Sequence, residues 1–458
     1  MGESSCRPVL VMLALAACGS EQPRAPAPAT PTTPTSDAIA PSPQRAGDPK
    51  RGWDALVGKA YVGCGVPRAL WDRFGFRAPP GARVERTQGA ELPYFLNAAQ
   101  LPNGTEIVTA NCLGCHAAFL RGKLVVGLGE VSTDFSLDVS NQLAMASMLV
   151  GDRDRAELGK LAGRMRALAP YTQTRTIGAN PADHIAAVLF AHRDPKTLAW
   201  SDEPRIPLVA EPVIPIDVPA WWLLKRKTAM FHTGAGRGDQ ARIMMTASVL
   251  CVDDVQTARE IDAYFPDVRA FLLSLEPPPY PGTIDRERAV RGKLVYDASC
   301  RSCHGQGADH RSRVVPLAKI GTDPMLASRA GQFAAPFTEW FNQSFYGEVA
   351  HLDPGAGYVA PPLDGVWATA PYFHNGSAPN LAAVLDSSQR LPRTAIVRGP
   401  DAYDLESVGW PNRPAGEGDD PKWVYDAAQP GYANTGHRFG DKLTADDRAA
   451  VLEYLKTL

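Results

Sequence analysis

Two short motifs of identical spacing carry the clearest chemistry in this 458-residue chain, Cys112-Leu113-Gly114-Cys115-His116 and Cys300-Arg301-Ser302-Cys303-His304. In a C-x-x-C-H motif the two thiols form thioether bonds to a porphyrin, and the imidazole binds its iron. Positions i, i+3 and i+4 share one helix face, so all three side chains can reach one porphyrin. The two copies therefore predict two covalently bound haem c groups. The predicted haem-binding cysteines are Cys112, Cys115, Cys300 and Cys303, and the predicted iron ligands are His116 and His304.

A zinc knuckle is the alternative interpretation of either motif. Such a site needs further ligands at close spacing, in most cases a second pair of cysteines or histidines. No second C-x-x-C pair lies near residues 112–116 or 300–304. We therefore favour covalent haem over zinc at both places.

Helices are expected to position both motifs. Gly104 and Gly292 each lie eight residues before the first cysteine of a motif. This repetition predicts haem helices over 104–116 and 292–304 in two homologous modules. An apolar helix should close each module and cross its first helix, and the last one should begin at Thr444 with Asp447 at N3. Other helices are predicted over 141–150, 156–169, 182–192, 239–252 and 267–275.

Composition divides the chain into four segments. Residues 1–18 resemble a lipoprotein signal peptide, and 19–49 form a Pro, Ala and Thr-rich segment predicted to be a disordered tether. Residues 50–281 are predicted to be an N-terminal haem domain with insertions, and 282–458 a C-terminal haem domain. The predicted fold class is mainly α, with two cytochrome c-like haem domains, long loops and little β structure.

The N-terminus predicts export from the cytoplasm. The apolar run 9–17 is too short to span a bilayer and ends in Leu15-Ala16-Ala17-Cys18. This ending is typical of a lipobox, in which Cys18 receives lipid, and an ordinary secretory signal is the alternative. We expect the periplasmic side of a bacterial cell envelope, with membrane attachment through the lipid alone.

Two cysteines remain outside the haem motifs and the N-terminal segment. In an oxidising compartment, Cys64 and Cys251 suggest a disulfide, and two separate buried thiols are the alternative. The formal net charge of −2 gives no basic surface for nucleic acid, so we expect no nucleic-acid partner.

The second axial ligand of each iron decides whether a haem can react with small molecules. His374, between aromatic residues and a turn, is the predicted ligand for the C-terminal haem; a structural hydrogen-bonding role is the alternative. Met325 is a competing candidate. For the N-terminal haem, Trp222 and His232 near a glycine-rich turn are proposed as distal-pocket residues; the alternative is a core tryptophan and a surface histidine. Other histidines considered are His184, His192, His310, His351 and His437.

The segment 363–381, Leu-Asp-Gly-Val-Trp-Ala-Thr-Ala-Pro-Tyr-Phe-His-Asn-Gly-Ser-Ala-Pro-Asn-Leu, resembles the signature of the di-haem cytochrome c peroxidase superfamily. It is closer to the branch that includes rubber oxygenases. The segments 321–324, 436–437 and 453–456 resemble that branch too, and the likeness extends over about residues 100–458. The resemblance implies a six-coordinate C-terminal haem with His374 as distal ligand. It also implies an N-terminal haem that reacts with oxygen or peroxide.

These observations together predict an exported di-haem c-type cytochrome that acts as a peroxidase- or oxygenase-type oxidoreductase. One haem would relay electrons, and the other would react with H₂O₂ or O₂. Expected partners are a redox protein, such as a small cytochrome or cupredoxin, and a small-molecule oxidant or substrate. The alternative is a membrane-anchored di-haem electron carrier without catalysis.

Overall fold

The computed structural model describes residues 38–75, 77–209, 211–305, 312–332, 334–399 and 402–458. The described residues from Ala38 to Leu458 belong to one compact unit. The predicted signal peptide, Cys18, residues 19–37 of the predicted tether and His310 lie outside the described residues. Export and lipid attachment therefore stay predictions.

Helices occupy much of the described chain and are mostly short. In chain order the α-helices are α1 (Pro49–Gly58), α2 (Arg68–Phe74), α3 (Leu113–His116), α4 (Ser140–Ala146), α5 (Asp152–Thr172), α6 (Ala182–Ala191), α7 (Gln240–Met244), α8 (Val255–Asp262), α9 (Phe265–Ser274), α10 (Arg286–Ser299), α11 (Leu317–Ile320), α12 (Met325–Gln332), α13 (Ala335–Gln343), α14 (Leu381–Leu385) and α15 (Ala445–Leu455). Short 3₁₀ helices include Trp221–Arg226 and Met245–Leu250.

Short antiparallel strands connect these helices. They are β1 (Val66–Pro67), β2 (Leu96–Gln100), β3 (Glu106–Ala110), β4 (Ala117–Leu120), β5 (Lys123–Val126), β6 (Gly236–Gly238), β7 (Val314–Pro316), β8 (Ala350–Leu352), β9 (Gly357–Val359), β10 (Arg393–Ile396), β11 (Asn412–Pro414) and β12 (Val424–Asp426). They form the sheets β1-β3-β2 and β11-β10-β12 and the two-stranded pairs β4-β5, β6-β8 and β7-β9.

The predicted fold class was wrong. About 40% of the described chain is helical and 13% is strand, in five small sheets. Two mainly α cytochrome domains with little β structure do not describe this arrangement. Residues from both halves build each core. Trp340 of α13 stacks on Phe190 of α6 with ring centroids 4.3 Å apart, and Trp222 is buried in a core with Trp367 and Tyr454. The predicted boundary at 281 stays a prediction.

The prediction of a haem helix over 104–116 was wrong as well. Residues 106–110 form β3, which pairs with β1 and β2, and only α3 is helical. The β-branched residues Ile107, Val108 and Thr109 favour a strand. All three are buried, because β3 is the central strand of its sheet.

The structure does contain an internal repeat, but the helix that corresponds to α10 is α1. Asp48 and Asp285 cap these helices, each through its side chain. Gly52 lies where α1 crosses α9, and Gly292 lies where α10 crosses α15. At either glycine an added Cβ would lie 1.9 Å from a carbonyl oxygen of the crossing helix, so only glycine permits so close a crossing. The counterpart of the 292–304 segment therefore begins at α1, and a long insertion separates α1 from the first motif.

Several local predictions hold. The helices α4, α5, α6 and α9 overlap the segments predicted to be helical, and α5 is longer at both ends than the predicted 156–169. The predicted helix 239–252 consists of α7 and the following 3₁₀ helix. The predicted N-cap of α15 is confirmed, because the Asp447 amide donates to Thr444 Oγ1 at 3.1 Å. The last helix crosses α10, as expected for the second module.

Residues 38–48 pack against the fold, which corrects the predicted disorder of 19–49 for this part of the segment. The amide of Ile39 donates to the Ser312 carbonyl at 2.9 Å. The Arg45 guanidinium binds the carboxylates of Asp239 and Asp262. Ion pairs and backbone hydrogen bonds hold this stretch, although it carries few apolar residues.

A disulfide joins Cys64 to Cys251, with their Cα atoms 5.6 Å apart. It connects the insertion after α1 with the end of the 3₁₀ helix Met245–Leu250. The four cysteines of the two motifs take part in no disulfide. The bond therefore fixes the insertion that supplies the first motif to the remainder of the N-terminal half.

Candidate haem sites

The first motif lies where β3 ends and the β4-β5 hairpin begins. The His116 carbonyl accepts from the Gly127 amide at 2.8 Å, which closes the hairpin over the motif. The Cys112 amide donates to the Tyr61 hydroxyl at 2.8 Å. The Trp221 ring stacks on the His116 imidazole, with centroids 4.6 Å apart and planes at 20°. The imidazole is thus held on a tryptophan face.

The electrostatic surroundings of His116 keep its imidazole neutral. Burial lowers the pKa of His116 to about 4, while the Pro219 carbonyl acts in the opposite direction. The buried Nδ1 of His116 has no hydrogen-bond partner among the described residues. A neutral imidazole is the form that binds a metal.

The two thiols of the first motif differ in accessibility. The Cys115 side chain is exposed, and that of Cys112 is partly buried. Burial raises the pKa of both thiols, that of Cys112 to about 11. An accessible thiol beside a partly buried one is compatible with a large apolar group, such as a porphyrin, bound over the motif.

The second motif follows the end of α10. The Tyr296 hydroxyl donates to the His304 carbonyl, and His304 Nδ1 lies 2.9 Å from the Pro361 carbonyl oxygen. A carbonyl can only accept, so the proton is assigned to Nδ1, and the lone pair is left on Nε2. This arrangement is typical of an imidazole oriented for a metal. Burial also raises the pKa of Cys300 to about 11.

A second imidazole faces His304. The ring centroids of His304 and His437 are 6.2 Å apart, with planes at 64°. With metal–imidazole bonds of roughly 2 Å, two imidazoles on opposite sides of one iron have centroids about 6 Å apart. Burial is also the main reason that the pKa of His437 falls to about 3. The pair fits the two axial positions of one haem iron.

His437 was not singled out as a ligand in the sequence. It was one of several histidines considered, and the Gly436-His437 pair was noted as part of the family resemblance. It lies 133 positions after His304, so no spacing rule connects the two residues. The distance that indicates its role exists only in the folded chain.

His374 has different ring neighbours. Its ring stacks on Tyr358 at 3.9 Å and lies 6.4 Å from His232, and its buried Nε2 has no hydrogen bond. The His232–His374 separation resembles that of His304 and His437. However, neither residue follows a cysteine pair, and His232 Nε2 is 2.7 Å from the Asp217 carbonyl oxygen. His374 as an iron ligand stays a prediction, with His437 as the better-placed candidate.

The residues predicted for a distal pocket have structural contacts. Trp222 is 0% exposed, and its indole N–H donates to the Asp364 carbonyl at 2.9 Å. His232 borders the 3.9 Å-stacked pair of His374 and Tyr358. Met325 packs against a small cluster around Ile214. No finding tests catalysis by Trp222 or His232, so that role stays a prediction.

The described residues contain no cluster of three or more His, Cys, Asp or Glu side chains that could hold a metal ion. A haem iron needs only one or two protein ligands, because the porphyrin supplies four nitrogens. Among the helices of the described chain, none is long and apolar enough to cross a membrane.

Comparison with known proteins identifies similarity in part of the chain. Residues 357–394 match a family described as RoxA-like, cytochrome c-like. Two uncharacterized proteins of Sinorhizobium fredii are similar: y4iM is 32% identical over 233 residues, which cover 42% of this chain and 53% of y4iM. The protein y4iJ is 26% identical over 303 residues, which cover 50% of each protein. The chain spans about half the length of these curated relatives.

The matched segment contains the carbonyl of Pro361 that faces His304, and the loop of His374. The match supports a relationship to c-type cytochromes of the RoxA kind, and with it haem, iron and covalent attachment. It agrees with the resemblance noted for residues 363–381 at this coarser level.

Proposed function

We propose that the protein is a di-haem c-type cytochrome with one closed and one open iron. His304 and His437 would bind the C-terminal haem iron from both sides, and His116 would bind the N-terminal iron from one side. The 6.2 Å separation of the His304 and His437 rings carries this proposal. Among the described residues, no second imidazole is in ring contact with His116, whose stacked neighbour is Trp221.

The two sites would then differ in what they can do. A bound haem supplies an iron that gains and loses one electron. With two imidazoles at its iron, the C-terminal haem is limited to electron transfer, whereas a position left open at the N-terminal haem admits a small oxidant. The Trp221 ring stacks on the His116 imidazole and would orient it toward the iron.

The reaction we propose is reduction of H₂O₂ or O₂ at the N-terminal haem. The electrons would come either from a small molecule, which is oxidised, or from a small cytochrome or cupredoxin by way of the C-terminal haem. We also propose a periplasmic location and a lipid anchor at Cys18, on the evidence of the leader sequence alone. A closed N-terminal iron would instead make the protein a simple electron carrier.

Electron paramagnetic resonance (EPR) of the purified holoprotein, with carbon monoxide and cyanide binding, tests this proposal. We expect two haems per chain, one low-spin with two histidines and one that binds the added ligands. His437→Ala should convert the low-spin haem to a high-spin one, and His374→Ala should leave it low-spin. Two low-spin haems that bind neither ligand would favour the electron carrier. An unchanged His437→Ala spectrum would exclude His437 as a ligand.

A further inference from the structure

One guanidinium binds several backbone carbonyls of the loop that carries His437. Arg390 lies about fifty residues earlier in the chain, and all five of its N–H groups, the full number that an arginine has, donate to backbone carbonyls. The accepting oxygens and their distances are Ala383 (2.8 Å), Val384 (3.1 Å), Asn434 (3.2 Å), Gly436 (2.6 Å) and His437 (3.3 Å). The side chain thus joins α14 to the loop 434–437.

Arg390 is partly buried and serves no carboxylate among the described residues. Burial lowers its pKa to about 10, and the nearby Asp386 and Asp441 oppose that effect only partly. Asp386 is paired with Arg448, and Asp441 accepts from Ser387. Since a desolvated cation is costly unless hydrogen-bonded, this full set of carbonyl contacts indicates a specific task.

The loop needs such a restraint because its backbone is strained. Gly436 and His437 have φ values of +73° and +46°, in the left-handed region that non-glycine residues seldom occupy. Gly436 lies so close to Gly321 that an added Cβ would be 2.1 Å from its carbonyl carbon. The His437 amide donates to the Ile320 carbonyl at 2.7 Å. External hydrogen bonds therefore determine where the His437 ring lies.

Arg390 also contacts the side chain that packs beside the imidazole. Its guanidinium carbon lies 4.8 Å from the ring centroid of Phe373, and that ring lies 5.6 Å from the His437 ring. Arg390 thus fixes the backbone of His437 and one wall of its ring at the same time.

We propose that Arg390 is a positioning residue that keeps His437 opposite His304, and so keeps the C-terminal haem iron six-coordinate. This inference rests on the proposed ligation by His437. The Arg390 guanidinium, hydrogen-bonded to backbone carbonyls and not to a carboxylate, would thereby keep two protein ligands on the iron of the electron-transfer haem.

The test compares Arg390→Met and Arg390→Lys in the purified di-haem protein, by EPR, visible spectra and haem content. We expect Arg390→Met to raise the high-spin fraction of the C-terminal haem about 10-fold or more, as is typical when a partner of a metal ligand is lost. Lysine has donors on one nitrogen only and cannot span both sets of carbonyls, so Arg390→Lys should give a smaller rise. Added imidazole should restore the low-spin spectrum in both variants.

Arg393→Met is the matched control, because the Arg393 side chain is 59% exposed and faces Asp426 at 3.8 Å. It should keep the wild-type spectrum. If His437→Ala changes the spectrum and both Arg390 variants do not, the role of Arg390 is overturned and the ligation stands. If His437→Ala has no effect, the ligation itself fails. A loss of helix circular dichroism that accompanies the high-spin signal would show general unfolding, and would also overturn the inference. Arg390→Lys decides the matter if Arg390→Met does not fold.

Discussion

One partly buried carboxylate, that of Asp253, joins three cations from distant positions in the N-terminal half. The Arg193 side chain is 0% exposed and binds Asp253 at 2.6 Å, and Arg164 and Lys160 bind the same carboxylate at 3.0 Å. Burial opposes ionisation of Asp253, but the hydrogen bond from Arg193 and the nearby cations lower its pKa overall. A carboxylate with a lowered pKa stabilises the fold above its unfolded-state pKa of about 4, and the contribution is lost as pH falls through the folded pKa.

Asp253→Asn should therefore lower the free energy of unfolding by about 3 kcal/mol at pH 7, because it leaves a buried arginine without its anion. The loss should shrink as pH falls through the lowered folded pKa of Asp253, because the wild-type carboxylate then becomes protonated as well. Denaturant titration at pH 7 and over a series of acidic pH values measures the difference. Asp54→Asn, at an exposed pair with Lys50, should change stability by at most about 0.5 kcal/mol. Equal effects of the two variants would contradict this assignment.

At the scale of elements, two close helix crossings frame the haem sites. The α1–α9 and α10–α15 pairs depend on Gly52 and Gly292, and Tyr296 of α10 packs on Tyr454 of α15 with ring centroids 5.2 Å apart. The same Tyr296 hydroxyl binds the His304 carbonyl. The second crossing therefore positions the second motif directly.

Gly292→Ala should destabilise the protein by about 1–3 kcal/mol, because the added methyl group overpacks the crossing. In a helix without such contact, the same change stabilises by roughly 1 kcal/mol. Gly159 of α5 has no atom within 4 Å of an added Cβ, so Gly159→Ala is the matched control. Thermal unfolding followed by helix circular dichroism should show shifts of opposite sign. A shift of the same sign in both variants would reject the role of the crossing.

At the scale of the whole molecule, residues 38–48 connect distant parts of the chain. Ile39 pairs with Ser312 close to the second motif, and its carbonyl accepts from the Thr228 hydroxyl at 2.7 Å. Arg45 binds Asp239 before α7 and Asp262 at the end of α8. This N-terminal stretch thus packs onto the compact unit that contains both hydrophobic cores.

Arg45→Met should weaken the attachment of residues 38–48 to the remainder of the fold. The Arg45 side chain is partly exposed, and Arg242 still binds Asp262, so we expect a loss of about 1 kcal/mol in the free energy of unfolding. Limited proteolysis should cut within 38–48 faster than in the wild type, while the haem spectra stay unchanged. Lys50→Met, at an exposed pair on α1, serves as the control. Equal cleavage rates in both variants would show that Arg45 does not hold the segment.

The sequence by itself determined the chemistry of attachment. Two C-x-x-C-H motifs can be recognised without a fold, because the thiols and the imidazole are neighbours within one turn. The capped last helix and several other helices were predictable for the same reason, since Thr444 and Asp447 act on each other locally. The Cys64–Cys251 pair could be suggested only by elimination, since its two partners are 187 residues apart.

Tertiary structure decided everything that depends on distant contacts. Strands of two to five residues are too short for their alternation to be read, so the sheets and the true repeat of α1 and α10 were missed. The ring opposite His304 belongs to His437, held by Arg390 and Gly321, and none of these residues is close to it in sequence. Covalent attachment of haem depends on residues that are neighbours in the sequence and can therefore be predicted from it. The coordination number of the iron depends on which distant loop supplies the second ligand, and only the folded chain shows that.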